Sequence, residues 1–346
     1  MTDAPDRRAA LLAAKLGALV RDRWTDVSSE ARPGTFPGGS TLIDAPSGRA
    51  WVLLDDGSAA TRLGATLAVA ARAGVGELHL LVDDRAAAAV LARRAELFAR
   101  PPTVWTIAGR TLEPAVAAAA APARDPAPAP EAELFRPVLA AAGLETVVEG
   151  GSLLGEHLGL EVARVVLADD GSAHIEVGVG RFDREVGAMM FAELSDTDAL
   201  ARAVAFVSEV RAAGAARHPL NQLVPERWLR AVIVAHPDLV GASELRAVGS
   251  AVPRANLKEA GIATAVGVDL QGRPVVVTCS TGVDLELVPG AADDRLASAP
   301  DARLILAVPT KDALAVTTEL ASHLVVPAEV VPVGDDWPMA DDRGAS

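Results

Sequence analysis

Two acidic clusters stand out in the first third of the chain, Asp55-Asp56-Gly57-Ser58 and Asp83-Asp84, each directly after an apolar run. Carboxylates at the ends of neighbouring parallel strands would suit Mg2+ or Mn2+, or the hydroxyls of a sugar, because hard cations take oxygen ligands. The same residues have a structural use, since Asp and Ser accept hydrogen bonds from the free N–H groups of a helix start. Near the other end, Cys279-Ser280-Thr281-Gly282 closes the apolar run Val275 to Val277. Ser280, Thr281 and Gly282 are small donors ahead of a helix-like stretch, an arrangement that can hold the phosphate or carboxylate of a cofactor at the positive end of a helix. Neither a Walker-type lysine nor a G-x-G-x-x-G pattern accompanies them. Cys279 would be a nucleophile if a helix end lowered its pKa; otherwise a lone cysteine at a strand end is a small buried residue.

The middle of the chain offers a carboxylate pair. LEVARVVLADDGSAHIEVGVGRF reads as a hairpin turned at Asp170-Gly171, a strong two-residue turn signal. Such a turn sets Glu176 opposite Val165 and Glu161 opposite Gly180, with both carboxylates on one face and ~13 Å apart at the usual strand rise. A shared ion needs a bulge to close that gap; without one the two are solvated edge charges. His157 and Glu161 have helical i,i+4 spacing but sit in strand-like sequence, where that spacing does not bring side chains together. The run GRFDRE, with Arg181, Asp183, Arg184 and Glu185, reads as a salt-bridged surface edge or as a groove in which Arg181 meets an anion. His218 lies on a loop, with no partner evident in the sequence.

The elements that must carry these groups are of the α/β (α+β) class. AAAAAPARDPAPAPEAE has alanine and proline without a hydrophobic period and reads as a semi-rigid linker. It divides an N-terminal α/β module over 1–115 from a central α+β module over 134–220, with the linker taken as 116–133. A C-terminal α/β module follows over 221–336, and a tail over 337–346. The outer two modules read as an internal repeat: GRAWVLLDDG, ELHLLVDD and PTVWTIAG in the first answer to GRPVVVTCSTG, ARLILAVP and PAEVVPVG in the second. Gly48-Arg49 matches Gly272-Arg273, Pro102 matches Pro327 and Gly109 matches Gly334, at a steady offset of 224 or 225 residues. Short apolar strands separated by helix-length segments imply parallel pairing, so each outer module should hold a mixed, partly parallel sheet flanked by helices. Helix-like sequence precedes each copy, at 6–22 and at PERWLRAVIVAH. The central module reads as helix, strand, the long hairpin, and a helix from Asp196 to Ala213.

Composition narrows the function classes. The chain has 346 residues, half of them hydrophobic, which is enough for two or three cores. With no Tyr, six Phe and five Trp, those cores must be built from Val, Leu, Ile and Ala. Only Lys15, Lys258 and Lys311 are lysines among 32 basic residues, a bias expected of a GC-rich bacterial genome. The net charge of −14 disfavours general nucleic-acid binding, which depends on clustered Lys and Arg. A single cysteine and the absence of any apolar run near the roughly 20 residues that span a bilayer point to a cytoplasmic protein without a membrane partner.

Helix, hairpin, then alternating helix and strand resembles the core of the restriction-endonuclease-like, PD-(D/E)xK, superfamily. That resemblance implies an acid on one hairpin strand and an (Asp/Glu)-x-Lys triplet on the next, the carboxylates holding a divalent metal and the lysine supporting the attacking water. In the C-terminal module the triplet position holds Thr278-Cys279-Ser280, with Asp269 on the preceding strand. The N-terminal equivalent is Leu54-Asp55-Asp56, and the central hairpin offers Glu176-Val177-Gly178 beside Glu161; none supplies the lysine. The expectation is therefore a non-catalytic binding or assembly protein with degenerate nuclease-like modules, working with a protein partner or as a homo-oligomer. The alternatives are a metal-dependent enzyme acting on a small phosphorylated or hydroxylated substrate through Asp55, Asp56, Asp83 and Asp84, or a metal-dependent nuclease acting through Glu161 and Glu176.

Overall fold

The structure, a computed structural model, describes residues 4–36, 38–54, 59–120, 126–179, 195–212, 214–216, 218–252 and 261–334. It is of the α/β class, with helices and three sheets. The chain forms two compact units. The first is Met1–Ala121 with Leu285–Asp293 and Leu314–Glu329; the second is Pro122–Asp284 with Asp294–Ala313 and Val330–Ser346.

The first unit opens with helix α1 (Ala4–Arg23) and a six-stranded sheet in sequential order: β1 (Arg32–Phe36), β2 (Gly39–Asp44), β3 (Arg49–Leu54), β4 (Glu77–Val82), β5 (Thr103–Ala108) and β6 (Thr111–Pro114). β1, β2 and β3 form an antiparallel meander, β3, β4 and β5 run parallel, and β6 returns antiparallel. Helices α2 (Leu63–Ala73) and α3 (Arg85–Ala95) make the two parallel crossovers. Every residue of β3 is buried, as expected of a central strand covered on both faces, and after Arg49 it is a continuous apolar run from Ala50 to Leu54 and not an alternating one. Leu16, Leu19 and Val20 of α1 share one core with Trp51, Leu53, Leu81, Trp105 and Ile107.

Two contacts join the later segments to this unit. A Cβ placed on Gly64, in the first turn of α2, would lie 1.8 Å from the Leu285 carbonyl oxygen, so only glycine permits that approach. Glu286 Oε1 then accepts the Gly64 and Ala65 N–H groups at 2.6 and 3.3 Å, covering a helix start that Arg62 leaves without a side-chain cap. Helix α9 (Ala315–Ser322) packs on α2, and a short antiparallel bridge pairs Phe98 with Leu324.

In the second unit, the central four-stranded sheet has the order β10-β9-β8-β7, antiparallel throughout: β7 (Glu145–Glu149), β8 (Ser152–His157), β9 (Leu160–Leu167) and β10 (Ala173–Val177). Helices α4 (Pro130–Glu133), α5 (Arg136–Ala141) and α6 (Asp196–Val210) pack on this sheet. Where the sequence suggested one strand before the long hairpin, there is a further hairpin turned at Gly150-Gly151. The expected register also shifts by one residue. Ala168 donates its N–H to Ser172 O at 2.8 Å and Gly171 takes a left-handed φ of 83°, which makes a three-residue loop in place of the two-residue turn. Glu176 therefore faces Arg164 and not Val165.

The remaining sheet has the order β11-β12-β13-β14-β15: β11 (Ala242–Val248), β12 (Ala263–Asp269), β13 (Pro274–Cys279), β14 (Arg303–Pro309) and β15 (Glu329–Val333). β11, β12 and β13 are antiparallel and β13 pairs parallel with β14. Helix α7 (Pro225–Ala235) buries Leu229 and Ile233 against Val275, Val277 and Cys279, and helix α8 (Leu287–Ser298) connects β13 to β14. Among the described residues no helix is long and apolar enough to cross a membrane.

Candidate functional site

The parallel register of β3 and β4 pairs Leu53 with Leu81, so the acidic segments that follow these strands leave from neighbouring strand ends. Asp55 and Asp56 lie outside the described residues. Asp83 is held by Lys15 of α1, whose Nζ stands 2.7 and 2.5 Å from its two carboxylate oxygens, at a half-exposed position. Asp84 is the N-cap of α3: its backbone is extended and its Oδ1 accepts the Ala86 N–H at 2.8 Å. The two acids of one dipeptide thus serve different elements.

At the end of β13 the small donors are in use within the chain. Ser280 is buried, donates its N–H to Ala307 O at 3.2 Å and directs Oγ toward Asp284 Oδ2 at 3.5 Å. Thr281 is half-buried. Gly282, with φ of 75°, donates its N–H to Asp312 Oδ2 at 2.7 Å, so the lip holds a carboxylate that belongs to its own protein. Cys279 faces the α7 core, and burial pushes its thiol up to about 12, far from the thiolate a nucleophile requires.

The corner suggested by Thr278-Cys279-Ser280 is filled from an unexpected direction. Thr278 is fully buried, and its hydroxyl lies 3.1 Å from that of Thr264 across the β12–β13 ladder. Thr264 in turn donates to Asp294 Oδ2, while Asp294 Oδ1 accepts Ser250 Oγ at 3.0 Å and the Ala251 N–H at 2.5 Å. Asp294 projects from the middle of α8 and is 1% exposed. Its neighbour Asp293, also buried, takes Arg93 through two hydrogen bonds of 2.8 and 2.7 Å and Arg94 Nε at 3.0 Å. Asp is a poor residue for a helix interior, so a buried Asp-Asp pair within GAADDRLASA is a signal that could have marked both positions. Asp269, the acid on the preceding strand, organises the β12–β13 turn. It accepts the N–H groups of Gln271 and Arg273 at 2.9 Å and the Arg273 Nε at 2.8 Å, and these bonds, led by the Arg273 amide, hold its carboxyl below the usual range.

In the central sheet Arg164 stands between the two suspected carboxylates. It faces Glu176 across the ladder and binds Glu161 through Nε at 2.9 Å and Nη2 at 3.0 Å. His157 Nε2 lies 2.7 Å from Ser208 Oγ, and burial lowers its pKa. His218 caps a short 3-10 turn through Nδ1, which accepts the Leu220 N–H at 3.3 Å. Arg181, Asp183, Arg184 and Glu185 lie outside the described residues.

A buried charge network escaped the sequence reading. Glu156 on β8 is 1% exposed, and each of its oxygens accepts from a different arginine of α7: Oε1 from Arg227 and Oε2 from Arg230, both at 2.7 Å. Arg227 also reaches Glu149 at 3.1 Å. Glu145 lies opposite Glu156 in the β7–β8 ladder. Burial pushes its carboxyl up and the Glu156 charge adds to the effect, while Arg230 and the Ala247 amide oppose it. The sequence signal is Arg227 and Arg230 at i,i+3 spacing on α7, with Glu156 set among the apolar residues of SLLGEHLGL. These two arginine–carboxylate bonds hold the central sheet to α7.

Among the described residues no group of three or more His, Cys, Asp or Glu side chains is placed to hold a metal ion. Comparison of the chain with protein-family models, with curated proteins and with solved structures returns no match.

Proposed function

We propose that this chain is a non-catalytic binding or assembly protein whose outer thirds descend from one nuclease-like module. The reading rests above all on Asp294, the acid at the corner where the resemblance would put metal chemistry. It is enclosed and engaged by Ser250, Ala251 and Thr264 of its own chain. Elsewhere too the acids serve the fold: Asp83 meets Lys15, Asp84 caps α3, Glu156 is shared by two arginines, and Glu161 is bound by Arg164. The common order of elements supports the duplication. β2-β3-α2-β4-α3-β5 and β12-β13-α8-β14-α9-β15 each place an antiparallel hairpin before a parallel crossover.

The test is a thermal-shift screen with Mg2+, Mn2+, nucleotides and short DNA, because a ligand that binds only the native state raises the melting temperature by mass action. The expected result is no rise with either metal. A rise with Mn2+ that disappears in an Asp55→Asn/Asp83→Asn double variant overturns the reading. That outcome would favour the metal-dependent enzyme, for which the specific observation is the parallel pairing of β3 with β4, since it brings the strand ends preceding Asp55 and Asp83 side by side.

A further inference from the structure

Three of the five tryptophans meet around one buried histidine. Trp24 follows α1, Trp51 lies on β3 and Trp105 on β5, while His79 stands between them on β4 at 4% exposure. The Trp24 ring centre is 4.9 Å from that of His79, 5.4 Å from that of Trp51 and 5.7 Å from that of Trp105. His79 also stacks on Trp51 at 5.8 Å, their planes 21° apart. Through these contacts the end of α1 is held on the sheet.

The hydrogen bonding selects one protonation state. Trp105 Nε1–H can only donate, and it lies 3.3 Å from His79 Nδ1. Nδ1 must therefore carry a lone pair, and the ring proton sits on Nε2, which stands 3.0 Å from Glu77 Oε1, an approach that becomes an ion pair only when the ring is protonated. We propose that His79 is a proton-sensitive latch: a proton from solvent bonds to Nδ1, ends the bond from Trp105 Nε1–H, and releases Trp24 and the end of α1 from the sheet.

The charges around the ring are mixed. Glu77 favours the imidazolium and is 58% exposed. From β3, Arg49 lies over the Trp51 ring at 5.3 Å and pairs with Asp26 at 2.9 Å. Asp44 of β2 acts on Arg49 as a further negative charge. From α1, Arg23 lies over the Trp105 ring at 5.2 Å, and Lys15 is engaged by Asp83. Burial is the largest influence on His79 and lowers its pKa; Arg49 adds to this and Glu77 opposes it. A histidine whose pKa is depressed on folding contributes stability that is complete above the ordinary value of about 6.5 and is lost as pH falls through the folded value. The latch is thus closed near neutrality and opens in acid.

The test follows tryptophan emission and far-UV circular dichroism of the full chain from about pH 8 to about pH 5, the range in which histidine titrates. The wild type should show a reversible change in emission centred below about pH 6.5 with its helical signal retained. His79→Asn, which keeps an acceptor near the indole but does not titrate, should abolish the change. Glu77→Gln, an exposed substitution that leaves the cluster packed, should move the midpoint to lower pH. The latch is overturned if emission is flat in the wild type, if the change survives His79→Asn, if Glu77→Gln leaves the midpoint where it was, or if the helical signal is lost together with the emission change.

Discussion

The sheet of the first unit and the last sheet of the chain place acids in opposite ways. After β4, the acids follow the strand in sequence and stay near solvent, where Asp83 is 36% exposed. At the end of β13 the strand carries only Thr278, Cys279 and Ser280, and the acid enters from the middle of α8 as Asp294, at 1% exposure. An acid that remains in water needs little from its neighbours, whereas a buried one is tolerated only when several donors replace the lost hydration. Asp294 meets this requirement with a backbone amide and two hydroxyls. The polar corner of a sheet can therefore hold an acid without any acid in the strand that forms it.

The contrast can be broken by substitution. Asp294→Ala removes the acceptor of the Ala251 amide, of Ser250 Oγ and of the buried Thr264 hydroxyl, leaving the last with Thr278 alone, and should cost about 3 kcal/mol in chemical denaturation, the upper scale for buried donors that lose their acceptor. Asp84→Ala removes only the α3 cap and should cost about 1 kcal/mol. Asp83→Asn, which loses a half-exposed pair with Lys15, should cost less than about 1 kcal/mol, and the difference should shrink as salt is added. If Asp294→Ala proves no more harmful than Asp83→Asn, burial does not separate the two regions and the contrast fails.

Where local chemistry decides the outcome, the sequence is legible. The amphipathic PERWLRAVIVAH forms α7 at Pro225–Ala235, the apolar run Val275 to Val277 forms a buried strand, and Asp84 caps the helix that follows it. What escapes depends on distant partners or on small geometric choices. Nothing near Asp294 in the sequence announces Ser250 or Thr264, which lie 44 and 30 residues away. Glu156 likewise finds its arginines 71 and 74 residues later. The hairpin after β9 was recognisable from Asp170-Gly171, but one more residue in its loop changed every cross-strand partner, because register has no tolerance for a single-residue slip.

The Gly282 amide, engaged by Asp312, has a consequence for any ligand approaching the end of β13. A carboxylate attached to the same chain competes at an effective concentration of roughly the millimolar order, supplied by tethering alone. The strand end is in this sense self-saturated: a dilute anion does not displace the resident side chain, and a stronger one gains a foothold only when Asp312 swings away or is neutralised.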